Sequence, residues 1–415
     1  MSQASSNLRA VSATPTLAVR QVQLAGQKNL GIATYSATPL KILSVLAFAA
    51  VLTLASLRAY QYPEYSTDGF SYMANAVAMS GASVRVIHDA VYQEVKAGIP
   101  QPVLNHLTGE DETDSAQSRS FRERAANPYR FAEFLPCFAV RPIFNQLVYV
   151  LHYKAGVGLL RATVVIPVLS YWLLGWLTLL WISRYMAAHW APVISALLLL
   201  SPPLWDLARS TTPDALSSLI VLLALYLLFE KQKLLPGTIF LLVSIFIRTD
   251  NLLLVLAVLA LMCMAGFGLR VSEAVMLAVL AVMSVAVINH FAGDYGAKVL
   301  YYRSFVEPPI AVGEITPRFG FREYLLALRA GLTGAVHAQY IPFFLMGVVA
   351  LLRRPPRPIL ALAIVTTIYT TAHLVIFPNP EMRFFGPFFV AMGVALASGL
   401  QAVRPISLRR ELAAA

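Results

Sequence analysis

Five carboxylates and three arginines in this sequence stand beside long apolar runs, where an ionisable side chain is costly to place. Asp68 lies in STDGFSYMANAVAMSG, directly after the first apolar run and ahead of a stretch patterned as an amphipathic helix. A carboxylate there either caps that helix or accepts a proton from an attacking hydroxyl as a general base. Glu64, four residues earlier, is a solvated side chain, a helper to Asp68 or a metal ligand. Arg141 precedes Pro142 at the start of an apolar helix, where guanidinium and free amides together suit a phosphate. Its alternative is an arginine that snorkels to lipid headgroups.

Three further turns repeat the theme. In TTPDALSSL, Thr212 reads as an N-cap with Pro213 at the first helical position. Asp214 then either completes that helix start or contacts a substrate. In IFIRTDNLLL, Arg248 and Asp250 are separated by one residue between two apolar runs. They form a boundary ion pair, or Arg248 faces an anion while Asp250 orients it or contacts a sugar. PNPEMRFFGPFF places Glu381 and Arg383 before the last apolar run. Arg383 is the best-placed phosphate grip, against the alternative of an anchor in an aromatic belt. Taken as one site, Asp68 is catalytic, Arg248, Arg383 and Arg141 bind an anion, and Asp214, Asp250, Glu381 and Glu64 contact substrate. His290, His337 and His373 read as interfacial packing, and the YYRSF loop with Asp294, Lys298, Glu307 and Glu314 has no diagnostic spacing.

The elements that position these residues follow from composition. Of 415 residues, 58% are hydrophobic and 13% charged, against about 25% charged in soluble domains. With a mean hydropathy of +0.66, a soluble enzyme, a disordered chain and a disulfide scaffold are excluded. The sequence reads as an all-α polytopic membrane bundle. Apolar runs at about 40–59, 157–183, 190–206, 213–229, 234–248, 251–268, 272–291, 337–352, 358–376 and 384–403 suit about ten spans, with 190–206 and 234–248 short enough to be tilted or broken. A large extracytoplasmic first loop, 60–156, carries amphipathic interfacial helices, and a second external loop covers 292–336. Residues 1–38 read as a disordered cytoplasmic tail, 39–404 as the membrane module and 405–415 as a second cytoplasmic tail.

Lys and Arg set the orientation. Arg9, Arg20, Lys28, Lys41, Arg184, Lys231, Lys233, Arg270, Arg353, Arg354, Arg357, Arg404, Arg409 and Arg410 fall on one side, giving both termini in the cytoplasm. The net charge of +11 therefore reports orientation beside anionic lipid and no nucleic-acid partner. Cys137 and Cys263 fall in a loop and a span, so no disulfide is expected, and no Cys or His spacing marks a structural metal. The carboxylates and arginines singled out above share the opposite, extracytoplasmic face.

The ordered set STDGFSYMANAVAMSG, TTPDALSSLIVLLALYLLF, IFIRTDNLLL and EMRFFGPFF resembles the GT-C superfamily of polyprenyl-phosphate-sugar-dependent glycosyltransferases. The resemblance spans most of residues 40–403. It implies a multi-span enzyme of the bacterial inner membrane that moves a sugar from a polyprenyl-phosphate donor to an acceptor hydroxyl outside, with inversion. Asp68 would be the general base, with Arg248 and Arg383 near the leaving lipid phosphate. The STDG block has one Asp where the family has D-D or D-x-D. No cofactor is assigned, and a divalent cation stays open without support. No soluble domain is expected after the last span, so the acceptor, whether glycan, lipid or protein, is unassigned. The competing readings are a transporter or lipid flippase and a membrane scaffold.

Overall fold

A computed structural model describes residues 39–111, 115–295, 299, 301–306, 320–337 and 340–402. The two expected tails, with Arg9, Arg20, Lys28, Arg404, Arg409 and Arg410, lie outside the described residues, as do Lys298, Glu307 and Glu314. The described residues are helices and turns, with one isolated bridge between Glu64 and Ser210.

The chain opens with α1 (Pro39–Gln61). Seven short helices follow: α2 (Thr67–Ala78), α3 (Val84–Gly98), α4 (Gln101–Thr108), α5 (Ala116–Ala126), α6 (Pro128–Ala132), α7 (Pro136–Ala139) and α8 (Pro142–Tyr153). Local chemistry sets their ends. Ser115 and Asn127 side chains accept from the amides of Ser118 and Tyr129 at 3.0 and 2.9 Å. Prolines open α6, α7 and α8, and Gly109 closes α4 in the left-handed region at φ 73°. The aromatic stretch from Asn127 to Tyr153 suits an interfacial helix by sequence. It forms three helices, the last starting at Pro142 as expected, and the axis turns by 116° ahead of α8. Pro142 forces that break by disfavouring helical backbone at Arg141, which sits at φ −124°, ψ 62°.

Then come α9 (Leu159–Ile182), α10 (Trp190–Leu199), α11 (Pro202–Arg209), α12 (Asp214–Leu225), α13 (Leu234–Ile247), α14 (Asn251–Met264) and α15 (Val271–Phe291). A π-helical turn, Tyr226–Glu230, extends α12. After a second π turn at Tyr302–Val306 the chain continues as α16 (Phe321–His337), α17 (Tyr340–Arg353), α18 (Arg357–Ile376), a 3-10 turn at Met382–Phe385, and α19 (Gly386–Ala402).

Length sorts these helices. Five are long and apolar enough to cross a bilayer: α1, α9, α15, α18 and the run Met382–Gln401. Counting bent pairs as single spans raises the number to eight; these include α10 with α11, bent by 64°, and α16 with α17, bent by 76°. The chain is an all-α integral membrane protein. Ten spans exceed what helix length supports, because α13 and α14 have 14 residues each. At 1.5 Å per residue each is about 21 Å long, against a hydrocarbon core of about 30 Å. The external loop expected at 292–336 also contains most of α16.

Two apolar cores hold the elements. Phe70, Met73, Val91, Phe144 and Val148 of the first-loop helices pack with Leu160 of α9. Leu52, Leu174, Leu222, Ile245, Leu362 and Met392 belong to a second core shared by α1, α9, α12, α13, α18 and α19. By contrast, α15 leaves Val275, Val279 and Met283 exposed, as a lipid-facing helix does.

Candidate functional site

Segments far apart in sequence converge on one polar cluster: the start of α2, the start of α12, the α13–α14 turn, the end of α18 and the 3-10 turn after it. Ser66 caps α2, its hydroxyl accepting from Gly69 N at 3.4 Å and reaching Thr211 Oγ1 at 3.5 Å. Asp68 is therefore not the cap. It stands in the first helical turn, where the helix dipole favours a carboxylate, with 37% of its side chain exposed. The glycine after it lets α2 approach Ser210–Thr212: a Cβ at Gly69 would stand 2.7 Å from Thr211 Oγ1.

Asp214 is buried at the first position of α12. Pro213, not Thr212, is the N-cap. The Thr212 hydroxyl is thereby free to donate to Asp214 Oδ2 at 2.6 Å, and it also bonds the Ser210 hydroxyl. Arg248, only 8% exposed and in extended backbone, ends α13 and uses all three guanidinium nitrogens. Its Nε and Nη2 donate to the two oxygens of Asp250 at 3.0 and 2.7 Å, and Nη1 donates to Asp214 Oδ1. The Phe384 ring covers its face, 4.4 Å from Cζ to centroid. The boundary ion pair is thus present, and it has a third member in Asp214. Burial alone would push the Asp250 carboxyl up; the Arg248 guanidinium and His373 outweigh that and hold it well below the usual carboxylate range.

Arg383 is the more accessible guanidinium, with 23% of its side chain exposed. Its Nε donates to Glu381 Oε2 at 2.6 Å and lies 3.6 Å from Asp214 Oδ2, while Nη2 lies 3.7 Å from Asp68 Oδ2. A continuous line of charges results: Asp68, Arg383, Asp214, Arg248, Asp250, with Glu381 on Arg383. Four carboxylates against two guanidiniums leave a formal excess of two negative charges. Among the described residues no group of three or more His, Cys, Asp and Glu side chains is arranged to hold a metal ion.

Two residues expected in the site stand apart from this line. The Glu64 amide donates to Arg209 O at 2.8 Å, and its exposed side chain makes no ion pair among the described residues. Arg141 donates to Cys137 O at 2.9 Å and lies 5.7 Å from the centroids of both Tyr72 and Phe138. It borders the cluster through Tyr72, whose phenol burial pushes up to about 12.

His373 joins the cluster unforeseen. Its Nε2 lies 3.4 Å from Asp250 Oδ2 at the end of α18. Its one signal in the sequence was an ionisable residue in an apolar run, at the same end as Arg383. Chemically, the cluster offers a part-exposed carboxylate and a part-exposed guanidinium side by side, with a buried ion-pair network reaching the guanidinium through Asp214. No protein-family model, curated protein or solved structure matches this chain.

Proposed function

We propose that the chain is a GT-C-like glycosyltransferase of the bacterial inner membrane, with both termini cytoplasmic and its site on the extracytoplasmic face. The observation that carries this reading is the Asp68–Arg383 pair: a carboxylate and a guanidinium 3.7 Å apart, both partly exposed. Arg383 is held in turn by Asp214 of α12 and by Glu381. In the reaction, Asp68 accepts the proton of an acceptor hydroxyl as its oxygen attacks the anomeric carbon of the lipid-linked sugar. The bond from that carbon to the phosphate oxygen breaks, and polyprenyl phosphate leaves with the charge that Arg383 stabilises. Attack opposite the leaving group inverts the anomeric centre, which requires the acceptor and sugar to enter between Asp68 and Arg383 and part the pair.

Arg383, part-exposed where Arg248 is buried, reaches the lipid headgroup. Arg248, saturated by Asp214 and Asp250, holds Asp214 in place behind it. Arg141 and Glu64 flank the substrate on the α2 side. The shortness of α13 and α14 supports a polar floor recessed below the bilayer surface, where a phosphate attached to a membrane chain arrives directly.

The test is transfer of labelled sugar from a polyprenyl-phosphate donor by the purified protein in proteoliposomes. Asp68→Asn should lower the rate by roughly 10²- to 10⁴-fold with an unchanged size-exclusion profile. Undiminished transfer by that variant removes Asp68 as the base. Lipid or solute movement without transfer by the wild type favours the transporter or flippase. Tags at residues 105 and 355 should label from outside and from the cytoplasm respectively; the reverse pattern overturns the orientation.

A further inference from the structure

Behind the reacting pair, His373 is the buried group with the most unexplained chemistry. It is 4% exposed and enclosed by the rings of Phe385, Tyr369 and Phe384 at 5.1, 5.7 and 6.2 Å. Its Nε2 faces Asp250, while Nδ1 is fully buried without a hydrogen-bond partner among the described residues. A carboxylate only accepts, and an N–H at Nδ1 would have nothing to receive it. A buried donor left unmade costs about 1–3 kcal/mol. Whenever the ring is neutral, its single N–H therefore sits on Nε2, directed at Asp250.

An Nε2–H donated to Asp250 has consequences along the line of charges. Both Asp250 oxygens are needed by Arg248, and the bidentate geometry requires the carboxylate plane to be held. Arg248 in turn fixes Asp214, and Asp214 with Glu381 flanks the Arg383 guanidinium beside Asp68. We infer that His373 is a positioning residue: its Nε2–H orients Asp250, and through Arg248 and Asp214 it sets Arg383 against Asp68. The effect on transfer rests on the glycosyltransferase reading above; the orienting hydrogen bond does not.

Two measurements separate those parts. The ¹⁵N spectrum of histidine-labelled protein in micelles, with His373 assigned by its loss in His373→Gln, should show a protonated Nε2 and an unprotonated Nδ1. A protonated Nδ1 with a bare Nε2 overturns the inference. In the transfer assay, His373→Gln keeps a donor near the Nε2 position and should stay within about threefold of wild type. His373→Phe keeps the ring packing but loses the donor, and should fall roughly ten- to a hundredfold. Equal activity of the Phe variant and wild type also overturns the inference, since packing alone would then suffice. If the wild type transfers no sugar, the function fails while the spectrum still decides the hydrogen bond.

Discussion

The helix that begins at Asp214 and ends, through its π-helical turn, at Glu230 carries one carboxylate at each end, and the two are satisfied in opposite ways. Asp214 meets charge: two guanidiniums lie within 4 Å, and it has a hydroxyl besides. Glu230 meets neutral donors: Trp181 Nε1 at 3.1 Å and Tyr185 Oη at 2.5 Å, both on its Oε2. Neutral donors fix a helix end by hydrogen bonding alone and present no cation to a substrate. Paired charges in excess, with one carboxylate and one guanidinium left partly open, create a field that a substrate can use. The difference separates an anchor from a site on a single helix.

Breaking the charged end should have the largest effect. Arg248→Met removes the guanidinium bonded to both Asp214 and Asp250 and leaves the buried Asp214 carboxylate and the part-exposed Asp250 carboxylate short of their partner. Loss of one member of a buried pair costs about 3–5 kcal/mol, read as a lower midpoint in thermal unfolding in detergent. A midpoint unchanged from wild type would show that the network is not needed for folding. Asp214→Asn comes next, since the amide can still accept from Arg248 but no longer balances two guanidiniums. Its cost should be about 1.5–3 kcal/mol, with transfer reduced because Arg383 loses a neighbour.

Most of the site's parts were legible because the charges were scarce and the turns short. Asp214, Arg248, Asp250 and Arg383 each interrupt an apolar run, and only a polar cluster makes that tolerable in a membrane. Which charge meets which was not legible. Arg248 and Asp250 are near neighbours in sequence, but the pairing of Arg248 with Asp214 depends on how α12 and α13 pack. Ser66 displaced Asp68 as the cap for a similar reason: several residues in YSTDG can cap, and tertiary contact with Thr211 decides among them. His373 was hidden because one histidine at a helix end is ordinarily a packing residue. The number of spans was the weakest expectation, since hydropathy marks apolar runs but not where a helix stops short, as α13 and α14 do.

The paired state of Asp250 gives the charged end a pH signature. Its carboxyl is held below the usual range in the folded protein, so folding favours the ionised form. The stability this contributes is fully present above the unfolded carboxyl value of about 4 and is lost as pH falls below it. Wild-type protein should lose thermal stability on titration from pH 5 to pH 2, and Asp250→Asn should lose less across that window. Parallel curves for the two proteins would mean that other carboxylates dominate acid unfolding.

The smallest effect belongs to the neutral end, and it is the sharpest check on the comparison. Glu230→Gln keeps a carbonyl oxygen where Trp181 and Tyr185 donate, so both donors remain satisfied and only charge is lost. The stability change should stay under about 1 kcal/mol, with transfer unaltered. Glu230→Leu, by contrast, leaves a buried indole N–H and a phenol without their acceptor, and should cost about 1–3 kcal/mol. That ordering, Leu worse than Gln, differs from what a charge-dependent role predicts, where either loss of charge would be equally damaging. If Gln proves as harmful as Leu, Glu230 acts through its charge, and the two ends of the helix are two sites instead of a site and an anchor.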